Sequence, residues 1–280
     1  MGALWALIFV CVSDAQIRRW DTRVVPLESD DAEKRWNEFK AARTVDYCMD
    51  FRLEHAPRRG ESSYYSGTIY SLNKGHELLT RILIWKSDGD AKAEPSSKPL
   101  ADFLLKDSPY GCEVWKYANG AAVKLDKPDW RKPMVEGLLY SPFEIISPYK
   151  RWEARYFGPG RIGQAVHYFD LRAPADFLKQ AGEGVGFDKI RVALSREFNA
   201  PVCVEAYGPY NRLLKTLSLG SVKKIDGVWI VSKLELRDDL NRSKDILRFT
   251  AAKMKPALPE SIFTPQALGK IPEKPLLEEL

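Results

Sequence analysis

Histidine is nearly missing from this chain, with three among 280 residues, and cysteine is scarce, with four and no Cys-x-x-Cys pair. His55, His76 and His167 stand far apart, so neither they nor the cysteines offer the ligand spacing of a zinc site. No Gly-x-Ser-x-Gly nucleophile elbow occurs, and no cluster of titratable residues marks a catalytic centre. Blocks of like charge are absent as well. The 43 Lys and Arg residues are scattered among 38 Asp and Glu, for a net charge of +5. Mild basicity without a cluster gives weak attraction to anionic surfaces, and no nucleic-acid partner is expected. No apolar run is long enough to cross a bilayer as a helix. Neither an internal repeat nor a linker is visible. What remains is an ordinary globular composition, 45% hydrophobic and 29% charged.

Two apparent motifs dissolve in context. Gly158-Pro-Gly-Arg-Ile-Gly163 matches the dinucleotide fingerprint by letter. The mechanism needs a helix directly behind it to receive the pyrophosphate. A strand, Gln164 to Leu171, follows instead, so the segment reads as a hairpin turn. Asp46 and Asp50 share a strand parity with Arg52 and Glu54, which describes a solvated face rather than a glycosidase pair. No enzymatic activity, metal or cofactor is expected.

What is present is period-two alternation. In Val45 to Glu54, apolar Val45, Tyr47, Met49, Phe51 and Leu53 alternate with polar residues, and this is the clearest strand. Others are expected at Ser63 to Leu72, Leu78 to Lys86, Glu113 to Tyr117, Ala121 to Leu125, Arg155 to Phe157, Gln164 to Leu171, Lys189 to Ser195 and Pro201 to Tyr207. Three more close the chain, within Asn211 to Leu219, Asp226 to Arg237 and Asp245 to Thr250. That makes eleven or twelve, at the turn spacing of one continuous sheet or barrel.

Helices are few. Asp30-Asp-Ala-Glu33 resembles a capping box ahead of Ala32, Trp36, Phe39 and Arg43 at helical spacing. Ser141-Pro-Phe-Glu144 is a second start signal, and Pro148 stops that helix early. Pro174 to Ala181 and Thr264 to Leu268 predict two more short helices. Asp88 to Pro99 reads as a loop, and the tail from Ile271 as frayed.

Leu4 to Val12 is an apolar run of signal-peptide length, followed by small residues at Ser13 and Ala15. A basic n-region is missing, and the alternative is a buried first strand. Val10 before Cys11 does not fit a lipidation motif. The expected layout is a signal peptide over 1–15, an N-terminal extension over 16–29, a folded domain over 30–268 and a tail over 269–280, in an exported, periplasmic protein. Cys48, Cys112 and Cys203 then remain, an odd number whose pairing spacing does not decide.

Leu214-Lys-Thr-Leu217, Lys224-Ile-Asp-Gly-Val-Trp-Ile230, Leu234-Glu-Leu236 and Leu258-Pro-Glu-Ser-Ile-Phe-Thr264 occur in that order, after Leu138-Leu-Tyr-Ser-Pro-Phe-Glu-Ile145. These segments resemble the LolA/LolB-like outer-membrane lipoprotein-sorting proteins over roughly residues 30–268. The resemblance implies a mainly β fold, a single half-open antiparallel barrel with short helices as a lid over its concave face. The cavity would hold acyl chains of a lipoprotein, or another lipid, in transit to the outer membrane. Handover partners would be an inner-membrane transporter and an outer-membrane acceptor. Members gate the cavity with a strand arginine bonded to the lid backbone. Arg52 and Arg81 are strand arginines of that type, and neither is assigned the role.

Parity gives Met49, Phe51, Ile82, Ile84, Ile230 and Leu234 as candidate cavity residues, with Phe143, Ile145 and Ile146 as lid contacts. Two competing readings stand beside the carrier. One is a non-catalytic cell-envelope adaptor that binds a protein partner. The other is a secreted hydrolase, for which His167 is the residue to test.

Overall fold

The computed structural model describes residues 8–9, 25–42, 44–89, 98–175, 177 and 187–280. A two-residue strand β1 (Ile8–Phe9) and a helix α1 (Ser29–Ala41) precede the main sheet. The first antiparallel meander runs β2 (Tyr47–Ala56), β3 (Ser63–Asn73), β4 (Leu78–Ser87), β5 (Ala101–Ser108), β6 (Gly111–Ala118) and β7 (Ala121–Lys124). A covering segment over 127–152 then carries one short helix, α2 (Pro142–Ile146), between 3-10 turns at Lys127–Arg131 and Pro148–Arg151.

The second meander is β8 (Ala154–Ile162), β9 (Gln164–Arg172), β10 (Lys189–Ser195), β11 (Pro201–Tyr207) and β12 (Leu213–Leu219). A hairpin of β13 (Val222–Ile225) and β14 (Val228–Val231) joins β1 in a small separate sheet. β15 (Lys233–Asp238) returns beside β12, and β16 (Ser243–Met254) lies between β15 and β2. That long strand stitches the two meanders into one sheet. Its ends, β7 and β8, do not pair with each other, so the curl stays open as a half-barrel. β17 (Glu278–Glu279) adds to β16 beyond the point where β15 ends.

Alternation decides the two faces. Tyr47, Met49, Phe51 and Leu53 of β2 are buried on the concave side, whereas Arg52 is exposed on the other. In β4 both faces are buried: Ile82 and Ile84 join the concave core, Leu79, Leu83 and Trp85 a second core on the convex side. Phe51 lies flat on Gly67 of β3, where a Cβ would stand 2.1 Å from the ring's Cζ. Only glycine leaves room for that ring.

Several expectations change. The described strands number seventeen rather than eleven or twelve. β5 gives no alternation because it too is covered on both faces, with Asp102 and Leu104 opposite Phe103 and Leu105. The strand expected over Asp226 to Arg237 breaks at Ser232. Its N–H goes to Ser221 O (2.7 Å) and its carbonyl takes Phe249 N–H (3.0 Å), so β14 and β15 enter different sheets. Helix α1 is preceded by Glu28 without a side-chain cap, and Asp30 and Asp31 instead sit in its first turn, where the helix dipole favours them. The box at Ser141 forms as expected: Phe143 N–H donates to Ser141 Oγ (3.2 Å) and Ser141 N–H to Glu144 Oε2 (2.9 Å).

Gly163 is the turn of the β8–β9 hairpin. The tail from Ile271 is not frayed: Leu277 packs on the convex core, and β17 pairs with β16. Cys48, Cys112 and Cys203 are all free thiols. Most of the helix expected over Pro174 to Ala181, most of the Asp88 to Pro99 loop, Arg43, and the leader apart from Ile8 and Phe9 lie outside the described residues.

Candidate functional site: a lid on the concave face

The concave face is covered by α1 and by residues 127–152. Trp36 and Phe39 of α1 reach into the core, with Trp36 stacked at 5.2 Å on Phe169 of β9. All six candidate cavity residues, Met49, Phe51, Ile82, Ile84, Ile230 and Leu234, fall in this one contiguous core. So do the three lid residues Phe143, Ile145 and Ile146. The candidates on β2 and β4 are buried.

The covering segment is tied to the sheet at three points, each made by a polar residue on the apolar parity of its strand. Asp245 of β16, in line with Leu247 and Phe249, accepts Leu139 N–H (2.7 Å) and Tyr140 N–H (3.1 Å) through Oδ2. Its Oδ1 lies 2.7 Å from His55 Nδ1 on the neighbouring strand. Burial raises the Asp245 carboxyl above its ordinary range, and the His55 and backbone bonds pull it back only in part. Asp107 of β5, in line with Phe103 and Leu105, is fully buried and bound by Arg151, which also donates to Ser108 O (2.6 Å). Lys215 of β12 donates to Glu144 Oε1 (3.0 Å) and to Leu139 O (3.2 Å).

The two feet are thus fixed by buried carboxylates, and the middle by one partly exposed ion pair. Between α2 and the second foot, Ser147 takes a left-handed conformation (φ 52°) that lets the chain reverse. Lys150 in that foot is buried, with Nζ 5.0 Å from the Phe39 ring. Burial lowers its pKa to about 7, with Asp107 opposing.

Beneath α2 is a recess between the lid and the second meander. Its floor is Ile190, Val204, Ala206, Leu217 and Leu236; its roof is Phe143, Tyr149 and Phe187; Glu144 and Lys215 stand at its side. About 30 Å³ of it admits a water-sized sphere, room for a water or two and far below the roughly 300 Å³ of a pocket that holds a small ligand. Phe143 alone of the candidate residues lines it. The others in that floor went unselected, although Leu217 and Leu236 lie on alternating strands. Aromatic rings cluster around the roof, with Phe143 and Phe187 at 4.8 Å and Trp152 and Phe177 at 5.1 Å.

Arg81 is a backbone clamp, but on the opposite face. It binds Asp102 through Nε (3.0 Å) and Nη2 (2.7 Å) and donates to the carbonyls of Ile262, Ala267 and Lys270. Asp102 in turn accepts Gly269 N–H (2.8 Å). His167 is a buried strand residue bonded to Tyr156 OH (3.0 Å). Burial and the nearby Arg35 and Arg196 depress its pKa to about 4. Among the described residues no group of three His, Cys, Asp or Glu is placed to hold a metal, and no helix is long and apolar enough to cross a membrane.

Known proteins share this architecture. A domain described as an outer membrane lipoprotein-sorting protein, from Vibrio parahaemolyticus, superposes with a TM-score of 0.68 at 17% identity, covering 86% of this chain and 97% of that one. A DUF1329 family protein from Desulfovibrio piger gives 0.64 at 14% identity, over 85% and 96%. A LolA superfamily protein from Nitrosomonas europaea gives 0.61 at 17% identity, over 85% and 99%. A family described only as an uncharacterized protein matches residues 153–270, less than half of the chain. Among curated proteins no sequence matches significantly. The chain has the open-barrel fold of the LolA-like proteins.

Proposed function

We propose that this protein is a non-catalytic periplasmic carrier. It takes up an acyl chain, from a lipoprotein or another lipid, between α2 and the β10–β11–β12–β15 part of the sheet. The observation that carries this reading is the lid: two fixed feet, a middle whose polar tie is one partly exposed ion pair, and an apolar recess directly below. Lifting α2 would move Phe143 off Ile190, Val204 and Leu217 and turn the recess into a groove. Each methylene buried there contributes about 0.8 kcal/mol, so part of one chain suffices for useful binding. The candidate cavity residues are buried in this closed state and the recess below α2 admits about 30 Å³, so entry at this place requires the lid to move. The open-barrel likeness to a sorting domain and a LolA superfamily protein supports the same class of cargo.

The burial of all the candidate cavity residues in one contiguous core favours the second reading, an envelope adaptor with a protein partner and no lipid. Mass spectrometry of lipid extracted from the purified protein, with titration of a fluorescent fatty acid, separates the two. Recovered acyl species or saturable uptake supports the carrier. Neither, alongside a stable protein complex, replaces it with the adaptor. Localisation by fractionation, with N-terminal sequencing of the mature chain, tests export and a leader ending near Ala15.

A further inference from the structure

Among the described residues Lys215 is the one cation lining the apolar recess, and its carboxylate partner belongs to the lid rather than to the sheet. Glu144 divides its two oxygens. Oε1 faces Lys215, and Oε2 is held by Ser141 N–H and Oγ inside the capping box of α2. The capping box is local, so Glu144 must travel with α2. Leu139, whose carbonyl is the other acceptor for Lys215, is anchored to Asp245 and stays with the sheet. When α2 lifts, Lys215 therefore keeps a carbonyl and loses its counter-ion. The ammonium, 29% exposed at its side chain in the closed state, is then a cation beside Leu217 and Leu236 with no anion, open to a carboxylate or phosphate that arrives with an acyl chain.

We infer that Lys215 is the headgroup site of the cargo: the carrier takes amphiphiles with an anionic carboxylate or phosphate beside the acyl chain, and Glu144 fills that place in the closed state. The inference rests on the carrier reading and narrows its substrate class. Lid opening and ligand capture become one exchange, a lid carboxylate for a ligand anion. The geometry also orders the ligand. Its charged end lies at Lys215, beside the lid, and its chain runs under α2 toward Ile190 and Phe187.

Calorimetric titration of the full chain with three ligands of equal chain length (dodecanoate, dodecyl phosphate and dodecanol) tests this. Binding of an anionic ligand at least tenfold tighter than dodecanol is expected, a difference of about 1.4 kcal/mol. Lys215→Met should erase that preference, Lys215→Arg should keep it, and Glu144→Gln, which removes the internal competitor, should tighten the anion severalfold. Dodecanoate favoured over dodecyl phosphate would point to fatty acids, and the reverse to a phosphate-bearing lipid; either supports the site. Equal binding of dodecanol and the anions, or a preference that survives Lys215→Met, overturns the headgroup site and leaves the carrier standing. Binding of none of the three by any variant overturns both.

Discussion

The sheet wears a cover on each face, and the two covers are built for different tasks. On the convex face, residues 260–270 form a strap fastened by a completely buried Arg81–Asp102 pair, whose spare donors and acceptors all go to strap backbone. Phe263 and Leu268 fill the space beneath it. On the concave face, the lid has comparable anchors only at its feet, Asp245 and Asp107. Its centre rests on Lys215–Glu144, and beneath it the packing is incomplete. A cover whose polar groups are all satisfied in the interior stays on. A cover whose middle adds only one partly hydrated pair to the apolar contacts of Phe143, Ile145 and Ile146 strands no buried charge when it lifts, because the ions regain water as the contact breaks.

The largest effect is expected at the strap. Arg81→Met leaves Asp102 as a buried, unpaired charge and frees three carbonyls, and should cost about 3–5 kcal/mol in denaturant unfolding. Next comes the lid's first foot. Asp245→Ala orphans the N–H groups of Leu139 and Tyr140 and should cost about 1–3 kcal/mol, with amide exchange rising across 138–147 more than across 260–270. Lys150 gives a pH test of the second foot. Its folded pKa of about 7 lies below the unfolded value near 10.5, so the unfolded chain binds more protons between those values. Stability should therefore rise from pH 7 to 8.5 in the parent relative to Lys150→Met, by roughly 1–2 kcal/mol, and the difference should flatten below pH 6. Glu144→Gln should be smallest, under about 1 kcal/mol, because the pair is partly exposed. A loss at Glu144 as large as that at Arg81 would erase the distinction between the covers.

The alternating face of β2, the places of β3 and β16 and the capping box of α2 were legible as sequence, because each depends on residues close along the chain. β5 was not, since burial on both faces removes the period-two signal. The break at Ser232 was hidden too, because apolar Val228, Ile230, Leu234 and Leu236 keep one parity straight through it. Apolar parity picked Met49 and Ile82 as readily as Leu217, and it cannot tell a residue that packs from one that faces a gap. The lid contacts did leave a trace. Asp107, Lys215 and Asp245 are charged residues standing on otherwise apolar strand parities, the places where a strand's inner face must meet something polar. Arg81 left the same trace among Leu79, Leu83 and Trp85, on the face that holds the strap.

The most direct measurement is a crosslink across the recess. A disulfide between cysteines placed at Phe143 on α2 and Leu217 on β12 should abolish uptake of a fluorescent fatty acid when oxidised and restore it when reduced. Uptake that is unchanged by locking α2 to the sheet would contradict a lid that must rise to admit its cargo.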